Sequence, residues 1–491
     1  MTAPRSILIV GGGSAGWMTA AAISRAFGLG VSVRVLEDPT ERADTGVLAP
    51  FEATLPSLNA FNASLGLDET ALMTAANATF RLGTSFQGWT RLDHAYIHPF
   101  SEFGGTMEGA PFHHYWLKLR AAGKAPALED FAVAAVAART GRFSRPSDDP
   151  RSVASTMSYG LHLEVAAYVA ALKALALARG VERITASFGG IERSANGDGI
   201  ETVIAGDGRR FKADLFIDAT GQKGELIGRL GPTWVDYSHW LPCDRLTFAL
   251  PTPGVGAPLT EARAVRDGWL LRAPLQSGPQ AVRISVGLSG SDLPEGTMAF
   301  RNGRRSATWI GNCIAVGLSA ATLEPLEASG LHLVQSGVSK LLGLFPAGES
   351  MTASAAEYNR LTAAEADRLR DFMILHYRAN GRSGEPFWDQ VRASPPPEEL
   401  AHKIRMFTSR GRVSLYDEET FEDSSWIAIF LGQNILPQRY HPLVDRYSLD
   451  EVRSRLDRMR AVIARAAEAM PTHAQVLARA GRQTISQGAL T

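Results

Sequence analysis

The chain has 491 residues, 45% of them hydrophobic and 20% charged, with 50 basic residues balancing 50 acidic ones. These are globular values: they exclude wholesale disorder and give no charge excess that would mark a nucleic-acid or anionic-membrane partner. Two cysteines, Cys243 and Cys313, supply neither a disulfide framework nor a zinc site, so a reducing cytoplasm and no resident metal are expected.

The first element is an apolar, β-branched run from Ser6 that breaks at Val10 into Gly-Gly-Gly-Ser-Ala-Gly-Trp17. Glycines 11, 13 and 16 make G-x-G-x-x-G, with a strand before them and a helix-forming segment, Thr19 to Ala26, after them. The first glycine permits a tight turn, the second lets a pyrophosphate approach bare backbone, and the third lets the helix pack on the strand. A second run, Val31 to Leu36, ends at Glu37, where an acidic side chain accepts ribose hydroxyls. The unit reads as a βαβ grip on an ADP moiety, with the anion at a helix N-terminus. Ser6 to Ser24 carries no charge and has the look of an export signal or anchor, but its clustered glycines would fray such a helix.

A loop follows, Thr45 to Pro50, then Phe51-Glu-Ala-Thr-Leu-Pro56 and a helical stretch through Asn62. A helix or strand carries Ala78 to Leu82, and the pattern alone favours a solvated or snorkelling Arg81. From Tyr96 to Trp116 the chain is dense in rings, among them His98, Phe100, Phe112, His113 and His114. That density suits a pocket wall for a flat ligand and an aromatic core layer equally well. Adjacent His113 and His114 lack a supporting Cys or carboxylate cluster for metal binding.

Ser144 to Arg151 is a polar surface loop, and Leu161 to Arg179 has the period of an amphipathic helix. Glu201 to Ala205 and Phe211 to Ile217, joined through Gly206-Asp-Gly208, read as a hairpin whose second strand ends at Asp218-Ala-Thr-Gly221. Residues 232–300 alternate as an antiparallel sheet, with Arg245 to Leu250 and Ala281 to Leu288 as its clearest strands. Ala307 to Gly317 reads as one buried strand, and Leu323 to Gly330 leads into a helix from Leu331 to Leu342, a second backbone anion nest. The remainder is mostly helical: Ala355 to Tyr377, Pro397 to Thr408 and Leu449 to Met470, with an apolar segment from Ser425 to Pro437.

Taken together, Gly11 to Trp17, Glu52 to Pro56, His114-Tyr-Trp116, Asp214 to Gly221, Trp309 to Cys313 and Glu324-Pro-Leu-Glu-Ala-Ser-Gly330 resemble the flavin-dependent tryptophan halogenases over nearly the full length. The resemblance implies an α/β fold: a Rossmann-type FAD-binding domain of the two-dinucleotide-binding flavoprotein kind. It also implies an inserted antiparallel β-sheet substrate layer at about 232–300 and a helical C-terminal region. The expected division is 1–350 for the FAD-binding module and 351–491 for a substrate-capping region. Ala-Thr-Gly221 would bring the chain back beside the first glycine loop.

The implied enzyme holds FAD, receives it reduced from a separate flavin reductase, and forms a C4a-hydroperoxide with oxygen. Halide then becomes hypohalous acid, which halogenates an indole- or phenol-like substrate. Cofactor contacts would come from Gly11, Gly13, Ser14, Ala15, Gly16, Glu37, Gly221, Gly317 and Leu318. Glu327 would be catalytic, Ser329 and Gly330 would hold halide, and His98, Phe100 and Trp426 would contact the aromatic substrate. The family's catalytic lysine aligns with Arg81, which stays charged and only donates hydrogen bonds. The W-x-W-x-I-P signature reads Trp269-Leu-Leu-Arg-Ala-Pro274. Both departures open a second reading, direct hydroxylation, and a third is a flavin-binding protein without turnover. No nucleic-acid or membrane partner is expected, and a homodimer is compatible with this reading.

Overall fold

The computed structural model describes residues 4–40, 47–195, 197–249, 256–287, 296–346 and 351–488. Thr45 and Gly46, which begin the expected loop, and Leu250 and Leu288, which close two of the expected strands, lie outside them. The chain divides into two compact units, each drawn from three stretches: 1–78, 163–247 and 287–368 in the first, and 79–162, 248–286 and 369–491 in the second. Residues of the region 232–300 and of the helix Thr352–Arg378 thus belong in part to each.

In the first unit a six-stranded sheet runs in the order Trp309–Ile310, Cys313–Ala315, Leu215–Asp218, Ser6–Val10, Ser32–Glu37, Glu182–Thr185. All neighbours are parallel except the first pair. Ile7, Leu8 and Ile9 are fully buried, as expected of a central parallel strand covered on both faces. The helices Ser14–Phe27, Val165–Ala178 and Ser329–Gly343 belong to this unit.

Three sequence expectations are corrected here. The stretch from Leu161 is a strand, Gly160–Glu164, before it is a helix, Val165–Ala178. A short apolar run has no period that separates the two, and pairing with Thr79–Arg81 decides it. The hairpin's second strand is cut: Arg210–Phe211 pairs with Ile200–Ala205, whereas Leu215–Asp218 joins the parallel sheet. Asp214 makes the break, its Oδ2 accepting from the Arg5 and Ser6 amides and the Ser6 hydroxyl, each at 2.9 Å. The single strand from Ala307 is two, reversed at Gly311, whose φ of 55° suits glycine.

A buried polar clamp ties two helices of the first unit. Glu365 accepts from His332 Nε2 at 3.1 Å, Ser336 Oγ at 2.8 Å and Lys340 Nζ at 3.0 Å, three successive turns of Ser329–Gly343. Burial pushes the Glu365 carboxyl up, but the bond from His332 and the charges of His332 and Lys340 outweigh it and bring it down to about 2 from 4.5. A carboxyl depressed in the folded state stabilises above its unfolded pKa, and that contribution fades as pH falls from about 4.5 toward 2. The shift corresponds to about 3 kcal/mol. Glu365→Gln is therefore expected to lower stability at neutral pH and to flatten the acid limb of a urea-denaturation series between pH 5 and pH 2. An unchanged acid limb would refute the clamp.

In the second unit five strands stand in the order Gly278–Ser285, Gly268–Leu275, Thr260–Val265, Gly83–Gln87, Ala95–Pro99. The sheet expected at about 232–300 therefore includes strands from before that region, and Thr260–Val265 runs parallel to Gly83–Gln87. The helices of this unit include Phe112–Ala121, Glu398–Arg410, Asp423–Gly432 and Leu449–Ala469.

Candidate active site

The glycine loop of the first unit is dictated by close packing. Gly11 has φ of 119°, and a Cβ there would stand 2.2 Å from the Ala219 carbonyl oxygen; one at Gly16 would stand 1.9 Å from the Gly11 carbonyl oxygen. Ala219 N donates to Val10 O at 2.9 Å, so Ala-Thr-Gly221 does return beside the first loop. Gly13 precedes the helix Ser14–Phe27 in extended conformation with no side-chain cap. At that N-terminus Ser14 Oγ is buried and makes no hydrogen bond among the described residues, and Ala15 is buried beside it. Uncapped amides and an idle hydroxyl are a ready anion site.

Glu37 lies over Gly12, where a Cβ would stand 2.3 Å from the Glu37 Cγ. Its carboxylate is paired with Lys173, at 3.0 and 2.8 Å, and with Arg183 at 2.5 Å. A cleft of about 440 Å³ is lined by Val10, Gly11, Leu36, Asp38, Thr220 and Lys223 among others. Gly221 and Gly317, both at φ of 67°, turn the strand ends, and Leu318 is buried.

Asp218, named in the sequence motif but given no role there, organises this region. Fully buried, its Oδ1 accepts from Thr220 N at 3.0 Å, Thr220 Oγ1 at 2.6 Å and Ser319 Oγ at 3.2 Å. Its Oδ2 accepts from the Leu226 and Ile227 amides, both at 2.8 Å. One carboxylate thus ties Thr220 to the turn at Gly317–Ser319.

Glu327 is 2% exposed and holds φ 58° and ψ 30°; Ala328 follows at φ 64° and ψ 37°, directly before the helix Ser329–Gly343. Two consecutive non-glycine residues in the left-handed region cost about 1–3 kcal/mol each, a strain that collects at functional sites. Ser329 Oγ donates to Glu324 O at 3.3 Å, and Glu324 N donates to Asn302 Oδ1 at 2.8 Å, so the loop is braced from behind. A Cβ at Gly330 would stand 2.7 Å from Glu52 Oε1, so the Glu52 carboxylate packs directly against this helix start.

In the second unit Arg81 is fully buried, which overturns the expectation of a snorkelling side chain. Thr84 and Thr260 sit opposite each other in the parallel strand pair, and their hydroxyls form a fork. Arg81 Nε donates to Thr260 Oγ1 at 2.8 Å and Nη2 to Thr84 Oγ1 at 2.7 Å, while Cζ lies 4.5 Å over the Phe100 ring. Fork geometry with a ring face suits a planar guanidinium better than a lysine ammonium.

His98 and Phe100 meet edge to face at 6.2 Å and 83°, not as parallel plates. Phe372 and Phe421, stacked at 4.0 Å, both lie 5.8 Å from His98. Trp426 is fully buried with an indole N–H that makes no hydrogen bond among the described residues; Phe372 stands edge-on to it at 4.9 Å, and Lys403 Nζ sits 4.1 Å over its ring. The sequence reading missed Thr84, Thr260, His162, Phe372, Phe421 and Lys403, which carry no local motif. Elsewhere in the aromatic stretch, His113 Nε2 bonds to Gly411 O at 2.7 Å, Tyr96 stacks on Phe86 at 4.9 Å, and burial pushes His114 down to about 3. These are core roles.

The tryptophan halogenase family model matches residues 6–448. The chain belongs to the tryptophan halogenase family. It is 30% identical to the tryptophan 6-halogenase SttH of Streptomyces toxytricini, over 89% of this chain and 91% of that one. It is also similar to two solved flavin-dependent halogenases. BrvH of Brevundimonas sp. BAL3 has a TM-score of 0.90 and 36% identity, covering 97% of this chain and 99% of that one. Xcc4156 of Xanthomonas campestris has a TM-score of 0.91 and 34% identity, covering 97% and 98%.

Fold class and enzyme class stand as expected, and the chain is an oxidoreductase-type enzyme of a flavin-dependent halogenase family. Membership favours halogenation over direct hydroxylation and implies FAD as cofactor. The idle Ser14 hydroxyl and the Cβ-free cradle at Gly11 and Gly16 fit that group. Among the described residues no helix is long and apolar enough to cross a membrane, and no group of three side chains is arranged to ligate a metal.

Proposed function

We propose that this halogenase acts on an indole- or phenol-like aromatic, with Arg81 steering the electrophile and Glu327 taking the ring proton. When bound and reduced, FAD supplies two electrons to dioxygen, which with halide yields hypohalous acid. Chain residues do the rest. Gly11, Gly13, Ser14, Ala15 and Gly16 hold the pyrophosphate, Glu37 the ribose, and Gly221, Gly317 and Leu318 the rest of the cofactor. Ser329 and Gly330 hold halide through backbone amides. Phe100 and Trp426 contact the substrate ring, and His98 edges it. As the ring carbon bonds the halogen, positive charge develops on the ring; the Glu327 carboxylate stabilises it and then accepts the departing proton. Arg81, unable to lose a proton at neutral pH, orients hypohalous acid through its N–H groups and its charge.

The observation that carries this reading is the buried, doubly left-handed Glu327–Ala328 pair, a strained backbone maintained where a carboxylate must be aimed. A cytoplasmic enzyme served by a separate flavin reductase completes the proposal. The test is incubation with FAD, a reductase, NADH, oxygen, chloride or bromide, and a panel of indoles and phenols. Products heavier by one halogen are expected. Products that gain oxygen and never halogen would instead establish hydroxylation.

A further inference from the structure

His162 is fully buried in the second unit, and the sequence reading gave it no role. Its two ring nitrogens are both engaged: Nε2 with Thr260 Oγ1 at 2.9 Å and Nδ1 with Thr79 Oγ1 at 3.1 Å. The far ends of this chain, with a neutral imidazole between them, set the direction of every bond in it. At one end stands Arg81, whose guanidinium only donates, so Thr260 Oγ1 accepts from Arg81 Nε. At the other end stands the Pro274 carbonyl, which only accepts, so the Thr79 hydroxyl spends its one proton there. Thr79 Oγ1 must therefore accept from His162 Nδ1–H; a neutral imidazole then has no proton on Nε2, so the Thr260 hydroxyl donates to it. A neutral imidazole protonated on Nδ1 satisfies all of this. Burial first, and then the nearby Arg81 charge, hold His162 well below the usual histidine pKa, in agreement with that neutral form.

We propose that His162 and Thr260 are positioning residues for Arg81: the one-way chain Arg81–Thr260–His162–Thr79–Pro274 fixes the rotation of the guanidinium plane over Phe100. The proposal rests on the reading of Arg81 as the group that steers the electrophile. Thr84 holds Nη2 of the fork, and Thr260 holds Nε. The Thr260 hydroxyl could itself rotate; His162 removes that freedom by accepting its proton. Thr79, which accepts from His162, is in turn held by the Pro274 carbonyl on the strand Gly268–Leu275, within the altered signature that runs from Trp269 to Pro274.

The test uses the full-length, FAD-loaded enzyme with its reductase and reads halogenated product per oxygen consumed. Thr260→Val, which keeps the shape and removes the hydroxyl, is expected to lower that ratio by about tenfold to a hundredfold while oxygen uptake and the KM for the aromatic substrate stay near wild type. Thr260→Ser, which restores the hydroxyl, is expected to recover most of the ratio. A merely structural role would reduce oxygen uptake and product together. A wild-type ratio in Thr260→Val would overturn the proposal.

Arg81→Met separates the two levels. If it is inactive in halogenation while Thr260→Val is unimpaired, only the chain fails; if Arg81→Met halogenates as wild type, the reading of Arg81 fails and the proposal with it. A readout independent of turnover is the tautomer of His162 in the unmodified protein, assigned by nitrogen NMR against His162→Gln. Nδ1–H is expected, and Nε2–H would overturn the directionality.

Discussion

Glu327→Gln is expected to fold as wild type, consume oxygen as wild type, and form halogenated product about 10²–10⁴ times more slowly. Glutamine keeps the volume and the left-handed backbone of Glu327, so the strain and the start of the helix Ser329–Gly343 are untouched. What it loses is the negative charge that opposes a developing ring cation and the lone pair that takes the proton. The KM for the aromatic substrate should change little, because both interactions strengthen only as the ring becomes positive. Oxygen uptake continues, so unreacted hypohalous acid should leave the site in place of halogenated product. Rapid-quench measurement of product, alongside an oxygen electrode, checks both halves. Wild-type product formation in this variant would remove Glu327 from the chemistry.

The largest expected effect on stability belongs to Asp218→Asn, at about 3–5 kcal/mol. Asp218 accepts five hydrogen bonds, three of them from backbone amides of Thr220, Leu226 and Ile227. The Thr220 and Ser319 hydroxyls can rotate away from an asparagine NH2, but the amides cannot. Whichever way the new side chain turns, its NH2 faces at least one backbone N–H that has lost its acceptor. A chemical-denaturation curve should show the loss. Because Thr220 borders the cleft beside Gly11, retention of FAD through gel filtration should fall too. Full stability with full retention would show that the turn holds itself without the carboxylate.

How much was legible beforehand differs by element. The Rossmann-type start was readable because its logic is local: an apolar strand, glycines at 11, 13 and 16, and an acidic residue closing the next strand. Two of these glycines proved to be forced by close approach, Gly11 to Ala219 and Gly16 to Gly11. The cut in the hairpin near Asp214 was invisible, since alternation continues from Phe211 to Ile217 and only the amides of Arg5 and Ser6, over two hundred residues earlier, end the strand. The strand at Gly160–Glu164 was hidden for the same reason: its partner is Thr79–Arg81.

At the site the division is sharper. Glu327, Arg81, His98, Phe100 and Trp426 were singled out by motif and alignment, but their surroundings were not. Arg81 between Phe80 and Leu82 has the pattern of an exposed cation, yet it is buried because Thr84 and Thr260 meet in register and His162 stands behind them. Nor does any spacing rule say that Glu327 and Ala328 are both left-handed, a conformation that a non-glycine pair adopts only when the surrounding packing holds it there.

The amino-acid sequence by itself determined the family, the nucleotide-binding start and the identity of the chemical groups, because these depend on residue type and on spacings of a few positions. Tertiary structure alone decided which way those groups are aimed and what solvates them. Hydrogen bonds from Arg81 to Thr260, or from Asp218 to the Ile227 amide, join residues through folded strands and turns, and no local pattern records the direction in which a buried proton points.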